Sequence, residues 1–259
     1  MRRAALLLLA LSSVAAAPCK DCEIAGGAYH TVTPPGWDGH ARLPVLVFLH
    51  GYQGRGADVV QDPDVTGPAA RLGFLLVAPD GVNRTWAHVG SPSQARDDLG
   101  FLRAVLADVR SRWPVDDAHV VASGFSQGAS MVWDLACYDA GDYSAFLPFS
   151  GGFWEPLPKS CDAGQVALRQ VHGTEDTTMP LSGRALFGPY RQGNVRDGFA
   201  RWIAEDGCAA SVRRTREGEL DCDEWPSCAQ GRLQFCVHAG GHFFRGDWVL
   251  GGLRWVMGG

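Results

Sequence analysis

The sequence predicts an α/β chain with a mostly parallel central sheet flanked by helices. Two observations carry this. Short apolar runs rich in β-formers alternate with helically spaced patterns from residue 43 onward. The runs are apolar at successive positions, as strands are when both faces of a sheet are covered. A third observation concerns function. Glycines and polar residues gather just past the ends of the runs, where open α/β sheets place their sites.

The elements follow in order. Residues 29–33 read as an antiparallel edge strand, and residues 43–49 (LPVLVFL) as a buried strand ending at His50-Gly51. Residues 74–78 form the next strand, ending at Pro79-Asp80-Gly81. Over 97–109, Leu99, Leu102, Val105, Leu106 and Val109 recur at helical spacing, and Trp113-Pro114 closes that helix. Asp97-Asp98 read as its cap and a loop tie. A strand at 120–122 runs into Gly124-Phe125-Ser126-Gln127-Gly128, and a helix over 129–137 follows. Strands are expected at 146–149, 166–171 and 233–237, and helices at 195–205 and 247–257. No linker, repeat or low-complexity stretch divides the pattern.

Composition bounds the function. The 259 residues are 46% hydrophobic and 20% charged, with a formal charge of −5. No basic stripe occurs, so nucleic acid is not expected as a partner. Met1, Arg2 and Arg3 give a positive start, residues 4–11 a short apolar run, and Val14-Ala15-Ala16 a small-residue cleavage site. That pattern reads as a signal peptide over 1–16, too short to span a bilayer, followed by a single catalytic domain over 17–259. A secreted or periplasmic monomer without a stable membrane anchor is expected. Eight cysteines in an exported chain predict disulfides. Cys137 is expected to pair with Cys161, and Cys208, Cys222, Cys228 and Cys236 among themselves. Cys19 and Cys22 have the spacing of a metal knuckle or redox pair, but Cys222 and Cys228 are too far apart to complete a zinc site. No metal or cofactor is expected.

Ser126 lies between two glycines where a strand stops and a helix starts. Such a turn crowds its neighbours and lifts the hydroxyl clear of the sheet. A Ser hydroxyl is a weak nucleophile until a base takes its proton. His242, after the last strand, supplies a base. Asp176 supplies a carboxylate to orient it, with Glu175 as the neighbouring alternative. The order Ser, Asp, His is the one α/β-hydrolases use. The rivals of His242 are His50, His172, His238 and His88; His172 and His238 read as core histidines and His50 as shaping the next turn. The oxyanion donors are expected to be the backbone N–H groups of Tyr52 and Gln127.

LHGYQG at 49–54, GFSQGA at 124–129, HGTEDTTMP at 172–180 and AGGH at 239–242 resemble secreted esterases of the polyhydroxybutyrate depolymerase and feruloyl esterase type. The resemblance covers nearly the whole mature chain and implies an α/β-hydrolase fold; the segment from Ser150 to Gln165, between two strands, is too short to hold a lid domain. The resemblance places the family's triad on Ser126, Asp176 and His242. Met179 and Ala129 depart from the usual pattern, and GFSQG is also similar to cytosolic acyl-protein thioesterases, a branch the export signal argues against. The expected activity is hydrolysis of short hydroxyalkanoate esters through an acyl-enzyme. A feruloyl, acetyl-xylan or general carboxylesterase is the enzyme alternative, and a binding module on a hydrolase fold the non-enzyme one. Trp86, Phe153, Trp154 and Phe243 are large rings near strand ends, expected to line an open, shallow substrate site.

Overall fold

Leu43–Leu49 divides its side chains between two cores. Val45, Val47 and Leu49 enter one cluster, Leu46 and Phe48 the other. That period-2 split follows from the pleat and shows both sheet faces to be covered. In the computed structural model, which describes residues 16–258, this strand is the third of ten in one sheet. The signal peptide expected over 1–16 lies almost wholly outside the described residues.

The strands of this sheet are β1 (Asp21–Ile24), β2 (Gly27–Val32), β3 (Leu43–Leu49), β4 (Leu75–Pro79), β5 (Val115–Phe125), β6 (Ala145–Phe149), β7 (Ala167–Gly173), β10 (Arg213–Glu217), β11 (Leu220–Trp225) and β12 (Arg232–His238). The short strands β8 (Arg184–Ala185) and β9 (Arg191–Gln192) form a separate hairpin. The sheet order is β1-β2-β4-β3-β5-β6-β7-β12-β11-β10. The six central strands run parallel, and antiparallel pairs extend the sheet at both ends.

The helices are α1 (Gly56–Val59), α2 (Pro63–Leu72), α3 (Asp98–Arg112), α4 (Gln127–Tyr138), α5 (Val195–Glu205) and α6 (Gly246–Val256). Phe101, Leu102 and Val105 of α3, Met131 and Trp133 of α4, and Phe199 and Trp202 of α5 bury against one face. Val65 of α2 and Trp248, Val249 and Leu253 of α6 bury against the other. As expected, α3 is capped by Asp97, whose side chain accepts from Gly100 N–H at 3.0 Å. Asp98 ties a loop by accepting from Ala87 N–H at 2.6 Å.

The 29–33 strand corrects one expectation. It forms as β2, antiparallel to β4, but it is not the edge, because β1 pairs along its outer side. The Cys19–Cys22 disulfide closes the chain just there and buries Cys22 in the core. The other disulfides join Cys137 to Cys161, Cys208 to Cys228 and Cys222 to Cys236. The last staples β11 to β12 at facing positions. Four disulfides fit a chain that matures outside the reducing cytosol. No helix among the described residues is long and apolar enough to cross a membrane.

Candidate active site

The parallel strands end together, and β5 passes directly into α4 at Ser126. The residue takes φ 57° and ψ −120°, a backbone state that costs a non-glycine residue about 1–3 kcal/mol. Packing holds it there. Ser126 N–H donates to Phe149 O of β6 at 2.9 Å. The flanking glycines are dictated by close approach. A Cβ on Gly128 would stand 2.2 Å from Leu49 O, and one on Gly124 would stand 2.8 Å from the Gly128 carbonyl carbon. Any side chain at either point would push the helix off the strands and carry the hydroxyl away.

His242 reaches Ser126 from the loop after β12. Its Nε2 lies 2.8 Å from Ser126 Oγ, and its Nδ1 lies 2.7 Å from Asp176 Oδ2. The Phe125 ring packs against the imidazole, with centroids 4.7 Å apart. Asp176 follows β7 and its carboxylate is fully enclosed. Oδ1 accepts from Thr178 N–H at 2.8 Å and Met179 N–H at 2.7 Å. Burial alone would raise this carboxyl. The hydrogen bonds from His242 and the Met179 amide outweigh it and hold the group below its ordinary value. Glu175, the alternative carboxylate, is exposed.

The remaining histidines have other partners. His50 bonds Gly51 O through Nδ1 and accepts from Gly81 N–H through Nε2, shaping the turn after β3. His172 is buried, bonded to Met179 O at 2.7 Å, and burial lowers its imidazole to about 4. His238 stacks on Trp248 at 4.3 Å. His88 is buried against Trp154.

Tyr52 and Gln127 both border the cleft beside Ser126. Gln127 opens α4, so its N–H has no partner within the helix. Among the described residues, neither its N–H nor that of Tyr52 donates to a protein acceptor. Thr85 Oγ1 donates to Gln127 Oε1 at 2.7 Å and fixes that side chain.

The cleft has a volume of about 440 Å³ and a largely apolar lining that includes Trp154, Met179, Leu186 and Phe187. Of the four rings expected there, only Trp154 lines it. Trp86 is fully buried and donates from Nε1 to His50 O at 2.8 Å, supporting the turn from beneath. Phe153 packs into the core against Trp133 and Trp202. Phe243 is partly exposed but stacks on Trp248, away from the cleft lining. All three are near strand ends, but Trp86 and Phe153 point into the core, and Phe243 lies exposed on Trp248 outside the lining. The β8–β9 hairpin supplies the wall that sequence reasoning missed, with Arg184, Leu186, Phe187 and Gln192. Its signal is faint. Two-residue strands leave no periodicity, and the turn Gly188-Pro189 is the only cue.

Helix α4 also buries Asp134, whose Oδ2 accepts from Val89 N–H at 2.5 Å. Burial pushes this carboxyl up to about 7, and the Val89 bond offsets only part of that rise. The folded state therefore keeps a proton that the unfolded chain loses near pH 4, so this group costs stability progressively as pH rises from about 4 to about 7. Asp134→Asn keeps an oxygen for Val89 and removes the ionisation. It is expected to stabilise the fold by about 2–4 kcal/mol at pH 8 and by little at pH 4. Urea melts at both pH values check this. An equal effect at both would rule out the titration of Asp134 as the cause.

The parallel sheet, the elbow at Ser126 and the loops converging on it define an α/β-hydrolase. No protein-family model matches the chain. It is 26% identical to a probable feruloyl esterase C from Aspergillus niger over 92% of this chain and 88% of that protein. It is 32% identical to feruloyl esterase C from Emericella nidulans, over 62% of this chain and 59% of that protein. Its fold is similar to acetyl xylan esterase from Aspergillus awamori, with a TM-score of 0.62, 14% identity, and 88% and 94% of the two chains covered. The chain is a carboxylic ester hydrolase.

Proposed function

We propose that the chain is an exported serine esterase for aromatic, ferulate-type acyl groups. The observation that carries this is the unbroken hydrogen-bonded line from Asp176 through His242 to Ser126, opening on an apolar cleft walled by Trp154. The names of the relatives support the acyl group, and the four disulfides support export.

In this reading Ser126 Oγ attacks the ester carbonyl as His242 Nε2 takes its proton. Asp176 holds Nδ1–H and balances the imidazolium that forms. The N–H groups of Tyr52 and Gln127 receive the developing oxyanion. His242 then returns the proton to the departing alkoxide, which leaves an acyl-enzyme. Water, deprotonated by the same imidazole, attacks the acyl carbonyl and frees the acid and the serine. A planar aromatic acyl group fits a cleft lined by Trp154, Phe187 and Met179.

The test compares kcat/KM of the purified mature protein on methyl ferulate with that on the methyl ester of a hydroxybutyrate trimer. Methyl ferulate is expected to lead by about tenfold, the value of one well-placed ring contact. The reverse order would return the substrate to the hydroxyalkanoate class. Turnover of neither ester, together with no labelling by a fluorophosphonate, would favour a binding module.

A further inference from the structure

Arg184 differs from its hairpin neighbour Arg191, which pairs with Glu155 at 3.1 Å. Arg184 meets no carboxylate among the described residues. Its one side-chain hydrogen bond runs from Nε to Gln192 Oε1 at 3.1 Å. Gln192 is buried, and its backbone bridges Trp154. A neutral, anchored group therefore orients the guanidinium, while the Nη1 and Nη2 hydrogens find no protein acceptor among the described residues.

This cation borders the cleft beside Leu186, Phe187 and Trp154, and no Asp, Glu or Lys lines the same space. Arg184 is thus the only formally charged side chain among the described residues of that lining. Arg184 is half-buried in a mostly apolar wall, so its guanidinium gains from a complementary group bound in the cleft. The fork of N–H groups left open matches a carboxylate, which takes two parallel hydrogen bonds from it.

We infer that Arg184 forms an anion subsite, and that the cleft selects esters carrying a carboxylate elsewhere on the acyl or alcohol portion. This rests on the reading of Ser126 as the nucleophile, not on the aromatic acyl group. The natural substrate then has two ends: an ester carbonyl at Ser126 and an acid at Arg184. The neutral alkyl or aryl part between them lies along the apolar wall.

Two substrate series test it. One sets the methyl monoesters of adipate, pimelate and suberate against the dimethyl esters. The other sets butyrate esters of ω-hydroxyhexanoate and ω-hydroxyoctanoate against their methyl-capped forms. In at least one series the free acid is expected to be favoured by about tenfold in kcat/KM, carried by KM, as a charged hydrogen-bond pair provides. That preference should shrink with added salt. Arg184→Gln should erase it, and Arg184→Lys, which keeps the charge without the fork, should keep part of it. A wild type that disfavours the acid in both series overturns the inference, as does a preference that survives Arg184→Gln. A wild type that leaves even the capped esters intact would sink the esterase site and this subsite together.

Discussion

Ser126→Ala is expected to lower kcat by about 10⁴–10⁶-fold on any ester the wild type hydrolyses. The substitution removes one oxygen and leaves Cβ in place. The strained φ of 57° is therefore no harder to hold, and the hydrogen bond from Ser126 N–H to Phe149 O is untouched. His242 keeps its bond to Asp176 and its packing on Phe125, so the imidazole stays where it is. Stability should then change by no more than about 1 kcal/mol. A residual rate above water is expected if, as proposed, the cleft and the Tyr52 and Gln127 amides still bind the ester and its oxyanion. Steady-state kinetics and a thermal melt on the same preparation check both halves. More than a tenth of wild-type kcat would remove Ser126 from the role of nucleophile. A collapsed melt with no activity would leave it open, and Ser126→Cys would then decide. The cysteine variant preserves volume and should acquire an alkylatable thiol at His242.

The sequence made the sheet centre legible because burial on both faces leaves nearly unbroken apolar runs. The strands at 43–49 and 146–149 are such cases, matching β3 and all but one residue of β6. The helix at 195–205 forms with the expected bounds, and the structure shows Asn194 capping it by accepting from the N–H groups of Arg196 and Asp197. The β10–β11 hairpin left no such trace. β10 is charged and largely exposed and β11 buries only Leu220 and Cys222, so cross-strand pairs such as Arg213 with Glu224 replace most of the apolar contacts. Helix α2 was hidden by Gly67 and Pro68, although Asp62-Pro63 is a readable cap and first residue. The three residues of the Ser126 line were legible because each lies in a motif after a strand, and the structure brings them within hydrogen-bonding distance. The cleft wall was not, because lining depends on where a side chain points. Trp86 and Trp154 both follow strand ends, yet one supports the His50 turn and the other faces the cleft.

Asp176→Asn is expected to lower kcat by about 10³–10⁴-fold at neutral pH with little change in the fold. The carboxylate has two separate duties. Oδ1 accepts from the N–H groups of Thr178 and Met179, and Oδ2 accepts from His242 Nδ1. Two amide donors require an oxygen at the first position, so an asparagine must place its carbonyl there. Its NH₂ then faces His242. Two donors cannot share that contact, so His242 Nδ1 must become the acceptor and the proton moves to Nε2. That proton points at Ser126 Oγ, 2.8 Å away, and the base is lost in the ground state. The imidazolium formed during attack also loses its counter-charge in an enclosed position. His172 offers no substitute, since its ring is fixed by Met179 O and Gln170. Glu175→Gln is the matching control, because Glu175 is exposed and its side chain makes no hydrogen bond among the described residues. It should leave kcat within about twofold, as surface changes away from a site do. Equal losses in both variants would mean that a general acidic environment, not the Asp176 carboxylate, supports His242. A loss in Asp176→Asn alone, with an unchanged melt, assigns it to the contact between Asp176 and His242.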